Sequence, residues 1–310
     1  MITVGVQTAH WFSLKNADAS FERIKKLGFS TVDVGLPGVP VTPEAPTSFY
    51  DKPLEEILEI YRPFKELADK HGISASQAHA PFPLWVKGRE DFNEYMIMVM
   101  EKVCAICHEI GCPAVVAHPI TRSSKEDEMK TNFEMYRKMM PAAKKYGVKL
   151  CLENLFTGAG GRITAGACAT VDEACMYIDT LNEEAGADVF GFCFDVGHAN
   201  LLHANIRQYL QKLGKRLTVL HIHDNDGDYD LHLTPYTQIR YRGKCVTSTN
   251  WESFIEGLRD IGYDGALAFE TFRVLEVTPP ELWDGALRYI ADIGNYFKNR
   301  IEAPKEDETV

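Results

Sequence analysis

The sequence predicts a single α/β domain, a (β/α)8 TIM barrel. Eight short apolar runs alternate with eight amphipathic segments along the 310 residues, as expected when crossover helices join parallel strands. Four of the amphipathic segments end in a glycine that precedes an apolar residue, which suits a left-handed helix cap leading into a strand. Six successive strand candidates end in Glu, Asp or His, and the strand ends of such a barrel converge on one face.

The strand candidates are apolar runs bounded by glycine, proline or polar residues. They cover residues 2–8, 31–36, 74–82, 114–120, 149–155, 190–196, 217–223 and 266–272. The helix candidates show apolar spacings of three and four residues. They cover residues 20–28, 54–71, 91–110, 125–146, 171–184, 206–213, 251–261 and 280–300.

Two details refine this plan. Pro63 lies within the second helix candidate and is expected to kink it or to mark a break. The barrel is expected to span residues 1–302, and the acidic residues 303–310 are expected to be a disordered tail.

The composition is that of a globular protein with a substantial core. Hydrophobic residues make up 45% of the chain, and the formal net charge is −11. This charge argues against a nucleic-acid partner, because proteins that bind a polyanionic backbone carry a basic surface.

No apolar run approaches the ~18 residues of a membrane span. The eight cysteines show no disulfide pattern, so a cytoplasmic location is expected. Self-association into a homo-oligomer is a further expectation.

The densest group of candidate ligands follows the seventh strand. An apolar run ending at Leu220 leads into three histidines and four aspartates, namely His221, His223, Asp224, Asp226, Asp228, Asp230 and His232. Because side chains alternate along a strand, His221 and His223 are predicted to point to the same face. Imidazoles and carboxylates at this density favour a metal site. The alternative is a solvated acidic loop.

The neighbouring strands end in the same residue types. Their terminal ligand candidates are His79, His118, Glu153, Asp195 with His198, and Glu270. Carboxylates that converge without partners repel one another and lose hydration, and a divalent cation offsets that cost. The sequence therefore predicts a divalent metal site at one end of the barrel.

These motifs resemble those of the xylose isomerase-like barrels, a superfamily that includes sugar and sugar-phosphate isomerases, ketose 3-epimerases and endonuclease IV. The resemblance covers nearly the whole chain. It is carried by Glu153-Asn154, Phe194-Asp195-Val196-Gly197-His198, His221-Ile222-His223-Asp224-Asn225-Asp226-Gly227 and Phe269-Glu270-Thr271.

The resemblance implies a metal-dependent enzyme. Its ligands for one divalent cation would be Glu153, Asp195, His223 and Glu270, with His221 as the alternative to His223. Three carboxylates and one imidazole favour Mn2+, Mg2+ or Co2+, and Zn2+ is a further option. The implied reaction is isomerisation or epimerisation of a sugar or sugar phosphate, with Glu153 and Glu270 transferring a proton through an enediolate.

Endonuclease IV supplies the main alternative, a multinuclear zinc phosphoesterase. The resemblance gives a counterpart for each of its nine zinc ligands: His79, His118, Glu153, Asp195, His198, His223, Asp230, His232 and Glu270. Among sugar-acting relatives, the additional histidines contact substrate instead. The acidic charge argues against duplex DNA as substrate. A barrel that keeps its metal but has been repurposed is the remaining alternative.

Aromatic and basic residues near the strand ends are candidate substrate contacts. Trp11 and Trp85 are expected either to stack on a sugar or to anchor loops. Arg240 and Arg242 follow the seventh strand, where an arginine can bind a phosphate or carboxylate or remain solvated.

Overall fold

The computed structural model describes residues 1–159, 161–241 and 245–304. Its strands are β1 (Thr3–Gln7), β2 (Thr31–Gly35), β3 (Ser74–His79), β4 (Ala114–Val116), β5 (Lys149–Glu153), β6 (Phe156–Ala159), β7 (Arg162–Ala165), β8 (Phe190–Asp195), β9 (Leu217–His221), β10 (Ile239–Tyr241), β11 (Cys245–Thr247) and β12 (Ala266–Phe269). Eight of them form one parallel sheet in the order β12-β1-β2-β3-β4-β5-β8-β9. The other four form two antiparallel hairpins, β6–β7 and β10–β11.

Backbone hydrogen bonds around Ile222 join the two ends of the sheet. The amide of Ile222 donates to the carbonyl of Ala268 at 2.9 Å, and the amide of Glu270 donates to the carbonyl of Ile222 at 3.0 Å. Ile222 also forms a parallel bridge with Phe269. These bonds complete the ring of a (β/α)8 barrel, which confirms the predicted fold class.

The helices surround this ring. They are α1 (Ala17–Leu27), α2 (Leu54–His71), α3 (Glu90–Glu109), α4 (Lys125–Tyr146), α5 (Val171–Ala185), α6 (Val196–Leu201), α7 (Ile206–Leu213), α8 (Trp251–Asp260), α9 (Phe272–Val277) and α10 (Trp283–Glu302). The predicted helix-ending glycines Gly28, Gly72 and Gly147 have left-handed φ angles of 100°, 64° and 64°. Such angles suit glycine, which has no Cβ to clash with the backbone.

Pro63 lies inside α2 without dividing it. The exposed ring removes one helical hydrogen bond. The buried side chains of Ile57, Tyr61, Phe64 and Ala68 lie on both sides of the proline and hold the helix against the core. Burial of this face outweighs the lost bond, so the break considered from the sequence does not occur.

Free cysteines are found at positions 104, 107, 112, 151, 168, 175 and 193. Within the described ranges, no helix combines the length and the apolar character needed to cross a bilayer.

Gly294 lets α10 pack directly on the barrel. A methyl group at this position would overlap Val4 and lie 2.9 Å from Cε2 of Phe269. Gly294→Ala is therefore expected to lower the free energy of unfolding by about 1–3 kcal/mol through overpacking. Chemical denaturation measures this change. The control is Gly285→Ala on the same helix, where the added methyl group meets nothing within 4 Å and should be neutral or stabilise by up to about 1 kcal/mol. Equal losses in the two variants would contradict the close packing.

Candidate metal centre

A cavity of about 660 Å³ opens at the carboxyl ends of the barrel strands. This is the end of a (β/α)8 barrel at which active sites form. Its polar lining comprises Gln7, His10, His79, His118, Glu153, His198, Asp230, His232 and Glu270. Its larger apolar side chains are Leu36, Val39, Pro81, Phe82, Leu155, Phe156 and Phe272.

Three carboxylates converge on one nitrogen of His221 at the base of this cavity. The Nδ1 atom of His221 lies 3.3 Å from Oε1 of Glu153, 3.3 Å from Oε2 of Glu270 and 3.9 Å from Oδ2 of Asp195. All four side chains are buried. Glu153, Asp195 and His221 are the last residues of β5, β8 and β9, and Glu270 directly follows β12. Strand ends in a closed barrel thus bring together one imidazole and three carboxylates, a donor set that suits a divalent cation.

His223 occupies a different position from the one expected. Its Nε2 atom lies 3.1 Å from Oδ2 of Asp195 and 3.8 Å from Oδ1 of Asp230. Its ring stacks on that of His232, with centroids 4.0 Å apart. The geometry favours His221 over His223 as the histidine of the four-residue set, because His221 faces both glutamates, whereas the ligand atoms of His223 group with those of His232 and Glu270 within 4.8 Å. The expectation for His223 came from the family resemblance, and β9 ends at His221, two residues before it.

A second group of ligand candidates surrounds Asp230. Its Oδ2 atom lies 2.9 Å from Nε2 of His232 and 3.6 Å from Nε2 of His198. His198 is positioned by α6, whose first turn is capped by Asp195: Oδ1 of Asp195 accepts a hydrogen bond from the amide of His198 at 2.7 Å. Gly197 leaves room for His223, since a methyl group there would overlap the imidazole.

A pair of histidines forms the opposite side of the Glu153 carboxylate. The Nε2 atoms of His79 and His118 are 3.0 Å apart, and that of His118 lies 2.9 Å from Oε2 of Glu153. The ring of Phe82 packs against both imidazoles, with centroids 5.6 and 5.0 Å away. His79, His118 and Glu153 therefore form a further three-residue group whose ligand atoms lie within 4.8 Å of one another.

Charge within the centre is balanced by its histidines. Burial opposes ionisation of Glu153, but His221 and His118 outweigh it and hold the pKa of this carboxyl well below its ordinary value. Burial likewise opposes ionisation of Asp195, and His198 and His223 lower its pKa. Burial lowers the pKa of His198 and His223, but the neighbouring carboxylates outweigh it. They raise the pKa of His198 to about 10 and also raise the pKa of His223 above its ordinary value. Glu153 and Asp195 are therefore ionised at neutral pH, the form that binds a cation.

The structure does not bring the candidate tryptophans to the described cavity lining. Trp11 is buried, and its indole donates to the carbonyl of Gln7 at 2.9 Å. Trp85 packs partly buried against the core, with Nζ of Lys138 5.1 Å from its ring centroid. Both tryptophans anchor loops, the alternative considered from the sequence.

Of the two candidate arginines, the structure describes Arg240, and it lies away from the described lining. Arg240 on β10 packs against Gly227, where a methyl group would overlap its guanidinium. Arg242 lies outside the described residues.

Three aromatic residues that the sequence analysis did not select as substrate contacts line the cavity instead. Phe82, Phe156 and Phe272 are each the third residue after a barrel strand, namely β3, β5 and β12. The sequence could have indicated these residues, because each is a phenylalanine at the same distance from the end of a strand. Gln7, the last residue of β1, was also missed, and its Nε2 atom donates to Oε1 of Glu270 at 3.1 Å.

Comparison with known proteins gives one family match and several distant relatives. A model of the xylose isomerase-like TIM barrel family matches residues 21–293. An uncharacterised protein of Methanocaldococcus jannaschii is 29% identical over 216 residues, covering 66% of this chain and 67% of that protein. An inosose isomerase of Bacillus velezensis is 26% identical over 188 residues, covering 60% of this chain and 61% of that enzyme. The latter match thus spans less than two thirds of the enzyme.

Solved structures share the fold over nearly their full lengths. A D-tagatose 3-epimerase-like protein has a TM-score of 0.67 at 20% identity, covering 95% of this chain and 98% of that one. The 3-keto-D-glucoside 4-epimerase of E. coli has a TM-score of 0.68 at 16% identity, covering 94% and 100%. The IolI protein, solved with a zinc atom, has a TM-score of 0.67 at 19% identity, covering 96% and 97%.

Proposed function

Because the chain belongs to the xylose isomerase-like TIM barrel family, we propose that it is a divalent-metal-dependent isomerase or epimerase that acts on an uncharged sugar. The observation that carries the proposal is the convergence of Glu153, Asp195 and Glu270 on Nδ1 of His221. The inosose isomerase among the relatives and the epimerases among the structures support this reaction class.

The residues present fit a divalent cation. One imidazole and three carboxylates, all buried, face a common point, and converging buried carboxylates are costly without a cation to offset their charge. Glu153, Asp195, His221 and Glu270 would hold the ion, which would polarise adjacent carbonyl and hydroxyl oxygens of the sugar. The carboxylate-rich set favours Mn2+, Mg2+ or Co2+. The zinc in the IolI protein supports Zn2+ as an alternative.

Glu153 and Glu270 are the proposed acid and base. The lowered pKa of Glu153 keeps its carboxylate ionised, which a base requires, and the same shift makes it a weaker proton acceptor than an ordinary carboxylate. Gln7 fixes Glu270 through a 3.1 Å hydrogen bond, which leaves the other carboxylate oxygen, Oε2, directed at His221. One glutamate removes the proton to give an enediolate of the sugar, and the other returns it.

The proposed substrate is uncharged because the described cavity lining contains no lysine or arginine. The rings of Phe82, Phe156 and Phe272 offer surfaces on which the apolar face of a sugar can pack. We expect free ketoses to be converted and their phosphate esters to be poor substrates. Parallel assays of each ketose and its phosphate ester, followed by product chromatography, measure this preference. A higher kcat/KM for the ester would contradict an uncharged substrate.

A multinuclear zinc phosphoesterase is the second candidate. It is favoured by the additional three-residue groups, His79 with His118 and Glu153, and Asp195 with His198 and His223. Elemental mass spectrometry of protein purified without added metal or chelator distinguishes the candidates. We expect about one Mn, Co or Mg ion per chain, whereas two or three zinc ions would favour phosphoester hydrolysis, with an abasic-site duplex as first substrate. A chain that takes up no metal on titration would contradict both candidates.

The cellular setting stays a prediction. We propose a small-molecule sugar as the partner and the cytoplasm as the location, supported by the free cysteines. Self-association is likewise a prediction, which light scattering can check.

A further inference from the structure

Three polar side chains form a row across the first three barrel strands. The strand register pairs Gln7 with Asp33 and Asp33 with Gln77, so the three residues lie side by side at one level of the barrel. Their exposed fractions are 9%, 1% and 0%. Buried polar groups cost folding free energy unless they are paired. None of the three belongs to the proposed metal ligands, so the role of this row is separate from direct coordination.

Asp33 faces the metal centre through His221. Its Oδ2 atom lies 3.4 Å from Nε2 of His221, the ring nitrogen that is not directed at the glutamates. Both groups are almost fully buried, and Nε2 is otherwise without a hydrogen-bond partner among the described residues. The imidazole therefore has the Asp33 carboxylate on one side and the three converging carboxylates on the other.

Gln77 fixes the position of Asp33. Its Nε2 atom donates to Oδ2 of Asp33 at 3.1 Å and to the carbonyl of Leu220 at 3.1 Å. Leu220 directly precedes His221 on β9. The amide of Gln77 thus connects the Asp33 carboxylate to the strand that carries the histidine.

The placement of Asp33 selects one form of the imidazole. A neutral imidazole carries its hydrogen on one nitrogen and a lone pair on the other. A carboxylate beside Nε2 favours the hydrogen at Nε2, which leaves the lone pair of Nδ1 for a cation. We infer that Asp33 is a positioning residue, held by Gln77, that orients His221 with its Nδ1 lone pair directed at the metal position. This inference rests on the proposed metal centre.

A purely structural role for Asp33 makes a different prediction. If Asp33 served only to stabilise the fold, Asp33→Asn would lower the free energy of unfolding and would leave the affinity for metal unchanged. The positioning role predicts that Co2+ affinity falls by about 10–100-fold, the usual cost of losing an outer partner of a ligating histidine. It also predicts a changed visible spectrum of the bound Co2+. Titration of the metal-free full chain with Co2+, followed by visible absorption, measures both.

Glu128→Gln is the matched control. Glu128 is also a fully buried carboxylate, but it pairs with Nζ of Lys125 at 2.6 Å and lies outside the described cavity lining. Its replacement should leave Co2+ affinity unchanged. A loss as large as that of Asp33→Asn would overturn the inference.

A double-mutant cycle tests whether Asp33 acts through His221. In a His221→Asn background, Asp33→Asn should change Co2+ affinity by no more than about twofold, because the residue that it orients is gone. The inference would be overturned if Asp33→Asn lowered Co2+ affinity equally in the unmodified chain and in the His221→Asn variant. It would also be overturned if Asp33→Asn caused no loss of affinity in the unmodified chain. Gln77→Met removes the donor that holds Asp33 and should weaken Co2+ binding in the same direction. If Asp33→Asn does not fold, Gln77→Met provides the test instead. Unchanged Co2+ affinity in Gln77→Met would then overturn the inference.

The parent titration separates this inference from the proposed function. A parent chain that binds no Co2+ would overturn the metal centre and the role of Asp33 together. A parent that binds Co2+ while Asp33→Asn binds it equally well would overturn the role of Asp33 alone.

Discussion

Replacing Glu153 by glutamine is expected to lower kcat by about 10²–10⁴-fold or more while leaving the fold intact. The side chain is 1% exposed and its carboxylate lies between His221 and His118. Glutamine has the same size but cannot accept a proton, and it is a weaker ligand for a cation. The measurement is kcat on the sugar identified by a screen of ketoses, with circular dichroism to verify folding.

Exchange of the substrate proton for deuterium in D2O distinguishes the glutamate that removes the proton from the one that returns it, for Glu153 and Glu270. If one glutamate removes the proton and the other returns it, Glu153→Gln and Glu270→Gln should both lose net conversion. The variant that keeps the base facing the substrate proton should still exchange it with deuterium. Glu128→Gln serves as the control, since this buried carboxylate lies outside the described cavity lining. Unchanged turnover in Glu153→Gln would exclude its acid or base role.

Replacing His221 by alanine is expected to reduce metal affinity by more than the roughly 10–100-fold that loss of an outer partner costs. The reason is that Nδ1 of His221 faces Glu153, Glu270 and Asp195. His223→Ala should cost less, since His223 contacts only Asp195 among these carboxylates. Competition with a chromophoric chelator measures both affinities. A larger loss in His223→Ala would restore His223 as the fourth ligand.

The strand ends were predictable because two simple regularities act together. Apolar runs mark the buried strands, and a closed parallel barrel places all their carboxyl ends on one face. Glu153 and Asp195 could therefore be placed near each other, although Asn154, which directly follows Glu153, is 41 positions from Asp195 in the chain. Their proximity follows from topology and requires no knowledge of individual side-chain contacts.

Features that depend on three-dimensional contacts were not predictable in the same way. Alternation places His221 and His223 on one face but does not show that β9 ends between them. Trp11 resembles a sugar-stacking residue in sequence, yet its indole is satisfied by the Gln7 carbonyl. The short hairpins β6–β7 and β10–β11 follow barrel strands and contain few residues each, so their patterns were indistinguishable from loops.

The Gln7–Asp33–Gln77 row was missed for a related reason. A single polar residue near the end of a strand is usually an exposed or locally paired side chain, and the sequence alone does not show which strands are adjacent. Only the register between β1, β2 and β3 shows that the three residues lie at one level beside the metal centre.

The bonds that join Ile222 to Ala268 and Glu270 have a consequence for the order of assembly. They close the ring between strands β9 and β12, and Glu270 is itself one of the converging carboxylates. The same strand β12 also pairs with β1, where Thr3 lies opposite Ala266, and these contacts join opposite ends of the chain and are among the most distant in sequence. Such contacts are entropically costly to form. If the proposed centre binds a metal, binding would therefore require the ring to be complete, and the bound ion would in turn stabilise the closed barrel by mass action.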